Sequence, residues 1–218
     1  MSIRARYEGL FEGTDNYTFH MLGCGAIGSS AAMQLIRMGA MSFHLYDSDV
    51  VEDVNIGVSQ YNLTDIGTPK TRALSDHMEK IEPEADIKMH YGMFESLFYE
   101  DNNDIVILGF DSMKSRLMAV ETIFKNPTMK IKCIIDGRMG AEHYQQYFIE
   151  KPTLAKYMDT WYPDNEGDEE PCNAKATSYC SNMSGSFIAN AVRKFITNSP
   201  LNSSFSFHFP TMLFQSES

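Results

Sequence analysis

Gly23, Gly25 and Gly28 stand in the run Gly23-Cys24-Gly25-Ala26-Ile27-Gly28, the G-x-G-x-x-G spacing with which a main chain closes around a phosphate. The first glycine permits a tight turn from strand to helix, the second lets the backbone approach the ligand, and the third lets the helix pack closely on its strand. A helix read over residues 29–38 points its unpaired N–H groups at whatever anion the loop holds. Nineteen positions after Gly28 comes Asp47, at the end of a short apolar run, where the ribose-binding acid of a nucleotide-binding βαβ unit falls. Asp49, Asn55, Gln60 and Lys70 follow. A lysine at a helix N-terminus opposes the helix dipole, so Lys70 points to an anion nearby, although a solvent-facing lysine is the plainer alternative. Asp111 follows the apolar run 104–110. A carboxylate at such a strand end can hold Mg²⁺ against nucleotide oxygens, and it can also cap the next helix.

Parallel strands must position these groups. Residues 17–22 read as the first strand and 42–47 as the second, joined by a helix whose Ala32, Leu35, Ile36 and Met38 recur at helical spacing. A right-handed crossover then places the glycine loop and Asp47 at the same carboxyl edge of the sheet. A helix is predicted over 68–81, with Pro69 in its first turn, and a strand over 86–93. Residues 104–110 form a continuous apolar run of the kind buried on both faces of a parallel sheet. A helix over 113–124 and a fifth strand over 130–136 follow. Asp136 ends that strand and Arg138 lies just beyond it, and the two either face the site or pair with each other. Residues 144–149 alternate as a sixth, antiparallel strand, and the acidic, proline-bounded stretch 152–171 reads as a loop. Residues 183–197 carry an apolar stripe of Met183, Phe187, Ile188, Ala191, Val192, Phe195 and Ile196, which must be buried. Phe205, Phe207 and Phe209 alternate as a terminal strand. The predicted fold class is α/β, a Rossmann-like, mainly parallel sheet with helices on both faces and antiparallel strands toward the C-terminus.

The order Asp47-x-Asp49-x-Val51-x-x-x-Asn55, then Gln60, then Ile66-Gly67-x-x-Lys70, then Ile81-Glu82-Pro83 resembles the ThiF/MoeB/HesA family, which has the fold of the ubiquitin-activating enzymes. The motifs span residues 19–140, and a looser likeness runs to about residue 197. The resemblance implies one domain over 1–218, with a core at 17–150, a crossover loop at 152–182 and a C-terminal helix and strand at 183–218. It implies ATP- and Mg²⁺-dependent adenylation of the C-terminal carboxylate of a ubiquitin-like or sulfur-carrier protein, by a homodimer. On the matching positions Gly23, Gly25, Ala26, Ile27 and Gly28 would cradle phosphate. Asp47, with Asp49 beside it, would bind the ribose, Asn55 and Gln60 would orient the triphosphate, Lys70 would neutralise it, and Asp111 would bind the metal. In the family the crossover loop lies over the adenylate and leads to a reactive cysteine, here Cys172. Lys175 would favour its thiolate and the five carboxylates among residues 164–170 would oppose it. Buried filler is the other reading of Cys172 and Cys180. An arginine in the family's lead-in reaches the opposite protomer's nucleotide; Arg4 or Arg6 would do so here, or would simply form a solvated basic end.

The chain departs from the family at two places. Ser112 replaces an asparagine after Asp111. Where the family has N-L-x-R-Q, this chain reads Asn55-Ile56-Gly57-Val58-Ser59-Gln60, one residue longer and without the arginine. A missing charge-assisted contact is worth about 1.5–3 kcal/mol, roughly ten- to a hundredfold in rate. Arg72, Arg116 or an arginine of a partner subunit is expected to replace it. Otherwise the chain is a non-catalytic subunit that keeps the fold and docks a partner. An NAD-dependent oxidoreductase using Asp47 on the adenosine ribose is a third reading, and it leaves Lys70 and Asp111 without a purpose.

Composition sets the outer bounds. With 218 residues, 43% of them hydrophobic, the chain can bury a core without staples. A formal net charge of -11 disfavours nucleic acid and anionic membranes as partners and suits a basic protein surface. The four cysteines form no CxxC pair, so neither a disulfide framework nor a four-thiolate zinc site is expected. No apolar run reaches the ~20 residues of a membrane helix, and a cytoplasmic protein is expected. No two of the six histidines stand at the i+3 or i+4 spacing of a helical metal-ligand pair.

Overall fold

The computed structural model describes residues 5–98, 103–126, 129–164 and 176–217. Its spine is an eight-stranded sheet of β1 (Thr18–Leu22), β2 (Ser42–Asp47), β3 (Asp86–Tyr91), β4 (Asp104–Leu108), β5 (Ile131–Gly140), β6 (His143–Glu150), β7 (Ser204–His208) and β8 (Leu213–Glu217). The spatial order is β3-β2-β1-β4-β5-β6-β7-β8. The first five strands are mutually parallel and the last three are added antiparallel. The connection reverses between β1 and β4, the switch point at which an open α/β sheet leaves a crevice beyond its strand ends.

β1 and β4 are buried along their whole length, mostly by apolar residues, with His20 and Asp104 as the buried polar exceptions. One face is covered by α1 (Ala26–Arg37), α3 (Lys70–Glu79) and α6 (Ser178–Ile196), whose Leu35, Ile36, Leu74, Met78, Ile188 and Val192 pack on Phe19, Met21, Leu45 and Ile105. The other face is covered by α4 (Met113–Phe124) and the five-residue α5 (Leu154–Met158). There Val120, Ile123 and Tyr157 meet Leu22, Leu108 and Ile134. A further short helix, α2 (Asp53–Ile56), sits in the long connection after β2.

Several boundaries differ from the sequence reading. β5 does not stop at Asp136: residues 137–140 leave β4 but continue pairing with β6, so Asp136 lies mid-strand. α5 falls inside the predicted loop 152–171, begun by Thr153, whose hydroxyl accepts the Lys156 N–H at 3.2 Å. α6 starts five residues before Met183, which places Cys180, itself buried, in its first turn. β8 was not expected at all, and it closes a hairpin with the predicted Phe205–Phe209 segment.

On the α4 side, toward the β3 edge, the sheet carries a stack of rings. His20, His44 and His90 come from three adjacent strands, with centroids 4.9 and 5.2 Å apart in succession. His20 Nε2 lies 2.7 Å from Asp104 Oδ1. The Tyr46 hydroxyl lies 3.3 Å from His20 Nδ1 and accepts the Phe98 N–H at 2.9 Å. Burial pushes the Tyr46 phenol up to about 12, so it remains a neutral donor. Among the described residues no helix is long and apolar enough to cross a membrane.

Candidate active site

The site begins where β1 ends. Gly23 takes φ +96°, a conformation that favours glycine. Its N–H donates to the Tyr46 carbonyl of β2 at 2.9 Å, while the Gly109 N–H donates to the Leu22 carbonyl at 2.8 Å. A Cβ on Gly23 would lie 2.8 Å from the Gly109 carbonyl, and one on Gly28 would lie 1.8 Å from the Gly23 oxygen. These two glycines are therefore demanded by the protein itself. Gly25 differs, because a Cβ there would meet nothing within 4 Å. The open space beside Gly25 is where a ligand can approach the main chain. α1 starts at Ala26 rather than at the expected residue 29, which places Ala26, Ile27 and Gly28 in its first turn.

Asp47 leans over this loop. Its Oδ2 accepts the Cys24 N–H at 2.7 Å and its Oδ1 accepts the Asp49 N–H at 2.8 Å. Burial pushes its carboxyl above the ordinary range, against the pull of those two N–H groups and of Lys70. The connection 51–68 folds out and is closed at its base by main-chain bonds, Val51 N–H to Thr68 O and Gly67 N–H to Val51 O, both 2.8 Å. That closure sets Lys70 at the first position of α3, directly beside Asp49. Lys70 Nζ donates to Asp49 Oδ2 at 2.7 Å. Burial would pull the ammonium pKa down, but the Asp49 hydrogen bond and the Asp47 and Asp49 charges outweigh it and hold it above the ordinary value. Lys70 is thus a fixed cation.

Asn55 and Gln60 are each partly committed. The Asn55 Oδ1 accepts the Glu52 N–H at 2.9 Å, capping α2. Gln60 Nε2 donates to Asn182 Oδ1 of α6 at 2.8 Å, and the Gln60 N–H donates to the Ser29 hydroxyl at 3.2 Å. Asp111 lies one residue beyond Phe110, in the turn that abuts Gly23, and its carboxylate is exposed. The cap of α4 is Ser112, whose hydroxyl accepts the Ser115 N–H at 3.1 Å, so Asp111 is released from the capping role. No group of three or more potential ligands gathers among the described residues. An exposed single carboxylate beside the glycine loop suits Mg²⁺, which takes one or two carboxylates and completes its shell with phosphate and water oxygens.

Arg116 is not the spare cation that the sequence reading allowed. It is buried, donates to Asp136 and to the Phe110 carbonyl, and reaches the Leu108 carbonyl at 3.2 Å. Asp136 also accepts from Arg138 Nε at 2.9 Å and Nη2 at 2.7 Å, so the internal ion pair is what forms. Arg138 stacks on Tyr147, 4.2 Å from its ring centre. Arg72 faces solvent on α3 and pairs with Asp76 at 2.8 Å. Cys24 and Cys180 are fully buried, and burial with the nearby Asp47 charge pushes the Cys24 thiol up, so neither is placed to act as a nucleophile. Cys172, Lys175 and Arg4 lie outside the described residues, and Arg6 is exposed in the lead-in.

Tyr61 is a site residue that the sequence did not disclose. It is buried, and its hydroxyl donates to the Cys24 carbonyl while lying 3.3 Å from the Lys70 carbonyl, tying the glycine loop to α3. Through these contacts the glycine loop, the β2 end with Asp47 and Asp49, the α3 start with Lys70 and the β4 exit with Asp111 are joined at one rim.

The ThiF family pattern matches residues 8–217. The chain belongs to the ThiF family. It is 32% identical over 65 residues to the ATP-dependent ubiquitin transferase-like protein Cap2 of Enterobacter hormaechei subsp. hoffmannii, a match over 30% of this chain and 11% of that protein. It is 34% identical over 74 residues to tRNA threonylcarbamoyladenosine dehydratase 1 of Saccharomyces cerevisiae, over 31% of this chain and 16% of that one. Its fold is that of E. coli MccB, with a TM-score of 0.74 at 18% identity over 94% of this chain. This ThiF chain spans 63% of the length of MccB. MccB has been solved with ATP and in complex with N-formylated MccA.

Proposed function

We propose that the chain is an ATP-dependent adenylyltransferase that activates the C-terminal carboxylate of a ubiquitin-like or sulfur-carrier protein. The observation that carries this reading is the joining of Gly23, Asp47, Lys70 and the Asp111 turn at one rim of the sheet. A carboxylate oxygen attacks the α-phosphorus of ATP, the bond to the bridging oxygen breaks, and pyrophosphate leaves with that electron pair. Charge builds on the phosphate oxygens, so fixed donors that need no reorganisation lower the barrier. The main-chain N–H groups of the Gly23–Gly28 loop and the first turn of α1 supply some of these donors, and the Lys70 ammonium supplies another. Asp47 accepts from the ribose hydroxyls. The amide groups of Asn55 and Gln60 left open by Glu52 and Asn182 orient the triphosphate. Magnesium, held by Asp111 and phosphate oxygens, would supply further neutralisation of the triphosphate.

The acyl adenylate then passes to Cys172, whose thiolate attacks the acyl carbon and expels AMP to leave a thioester. The active form is a cytoplasmic homodimer in which a cation of the second copy, Arg4 or Arg6, meets the triphosphate that lacks the family's arginine. The name of Cap2 and the MccA complex of MccB support a protein or peptide carboxylate as substrate. A second reading, a docking subunit without activity, is favoured by the commitment of Arg116 to Asp136 and of Arg72 to Asp76.

ATP–pyrophosphate exchange that depends on a partner's free carboxyl end separates the two. The adenylation reading expects exchange, its loss by about a hundredfold or more in Asp111→Ala without loss of fold, and its retention in Cys172→Ala with the thioester gone. A folded wild-type protein that catalyses no exchange with any carrier would leave the docking reading.

A further inference from the structure

The first turn of α4 is gripped by residues some fifty positions further along the chain. Ser112 takes the Ser115 N–H, which leaves the N–H groups of Met113 and Lys114 without partners inside the helix. Asp164 takes both: its Oδ1 accepts the Met113 N–H at 2.7 Å and its Oδ2 accepts the Lys114 N–H at 3.4 Å. On the other side of the same residue, Trp161 Nε1 donates to the Met113 carbonyl at 2.9 Å. Met113 is thus held through both its N–H and its C=O. It stands two residues after Asp111, in the turn whose Gly109 and Phe110 abut Gly23. A carboxylate on helix N-terminal amides is charge-assisted and favoured by the helix dipole.

We propose that Asp164 is a positioning residue for Asp111, fixing the β4–α4 turn against the glycine loop. It also occupies the α4 amides, which would otherwise compete with the Gly23–Gly28 amides for phosphate. Asp164 touches neither nucleotide nor metal in this role. The inference rests on the adenylation reading and adds to it a residue that the family motifs do not include.

Two readouts test it in Asp164→Ala, Asp164→Asn and Trp161→Phe. In amide hydrogen exchange without ligand, Asp164→Ala loses protection at Met113 and Lys114, and Asp164→Asn, whose amide oxygen still accepts, restores most of it. In pyrophosphate exchange, Asp164→Ala raises the Mg²⁺ concentration for half-maximal rate about tenfold, the equivalent of one lost charge-assisted contact. Its kcat at saturating Mg²⁺ stays within about twofold of wild type, because Asp111 itself is unchanged. Trp161→Phe gives a smaller shift of the same kind. A merely structural role would lower the melting temperature and kcat together and leave the Mg²⁺ requirement alone. Wild-type protection at Met113 and Lys114 in Asp164→Ala, or a wild-type Mg²⁺ requirement in an active Asp164→Ala enzyme, overturns the inference alone. A wild-type protein without Mg²⁺-dependent exchange overturns the adenylation reading, and this inference with it.

Discussion

Lys70→Met is expected to lower ATP–pyrophosphate exchange by about 10²–10³-fold while leaving the fold intact, since a preorganised donor aimed at developing charge is typically worth that much. The substitution is clean for structural reasons. Asp49, which loses its hydrogen-bonded cation, has a side chain 62% exposed, and buried Asp47, whose charge Lys70 also offsets, keeps the Cys24 and Asp49 N–H donors. The main-chain contacts at this position survive any side chain: the Lys70 N–H still reaches the Asp49 carbonyl at 2.9 Å, and the Lys70 carbonyl still lies near the Tyr61 hydroxyl. The methionine stem keeps the packing. A change in melting temperature of more than a few degrees, or exchange within threefold of wild type, would show that Lys70 serves the fold or the surface rather than the triphosphate.

Asp136→Ala is expected to act on stability first. Its carboxylate is fully buried and is shared by Arg116, Arg138 and, at 3.3 Å, the Tyr157 hydroxyl. Removing it leaves two guanidinium groups without a counter-charge in the interior, which costs about 3–5 kcal/mol. For a chain of this size that is roughly 6–20 °C in melting midpoint. Activity should fall as well, because Arg116 also holds the Leu108 and Phe110 carbonyls that lead into the Asp111 turn. Denaturant unfolding gives the check: a midpoint shift equivalent to less than 1 kcal/mol would mean that the arginines find other acceptors and that Asp136 is no hub.

The difference between these two residues shows what a sequence can disclose. The places of Lys70, Asp47 and the glycine loop in the fold were legible because short-range spacing marks each of them. A tight strand-to-helix turn needs glycine where a side chain would collide, as Gly23 and Gly28 show, and a strand-end acid needs only its place after an apolar run. The first two strands and α4 were legible because apolar residues dominate them, even with His20, His44 and Arg116 among their buried side chains. Asp136 and Arg116 were not legible, because their pairing depends on α4 lying against β5, and nothing within either segment distinguishes a site-facing charge from a buried pair. The same holds for Gln60 and Asn182, 122 positions apart. His20, His44 and His90 carry no metal-like spacing along the chain, yet parallel strands bring their rings into one stack. α5 and β8, five residues each, are too short for their period to emerge against proline, polar residues and a turn.

The deciding measurement is the structure of the protein with a non-hydrolysable ATP analogue and Mg²⁺. The proposed function predicts the triphosphate on the Gly23–Gly28 amides beside Lys70, the ribose on Asp47 and the metal on Asp111. A nucleotide held elsewhere, or a metal remote from Asp111 with Lys70 still bound only to Asp49, would contradict it.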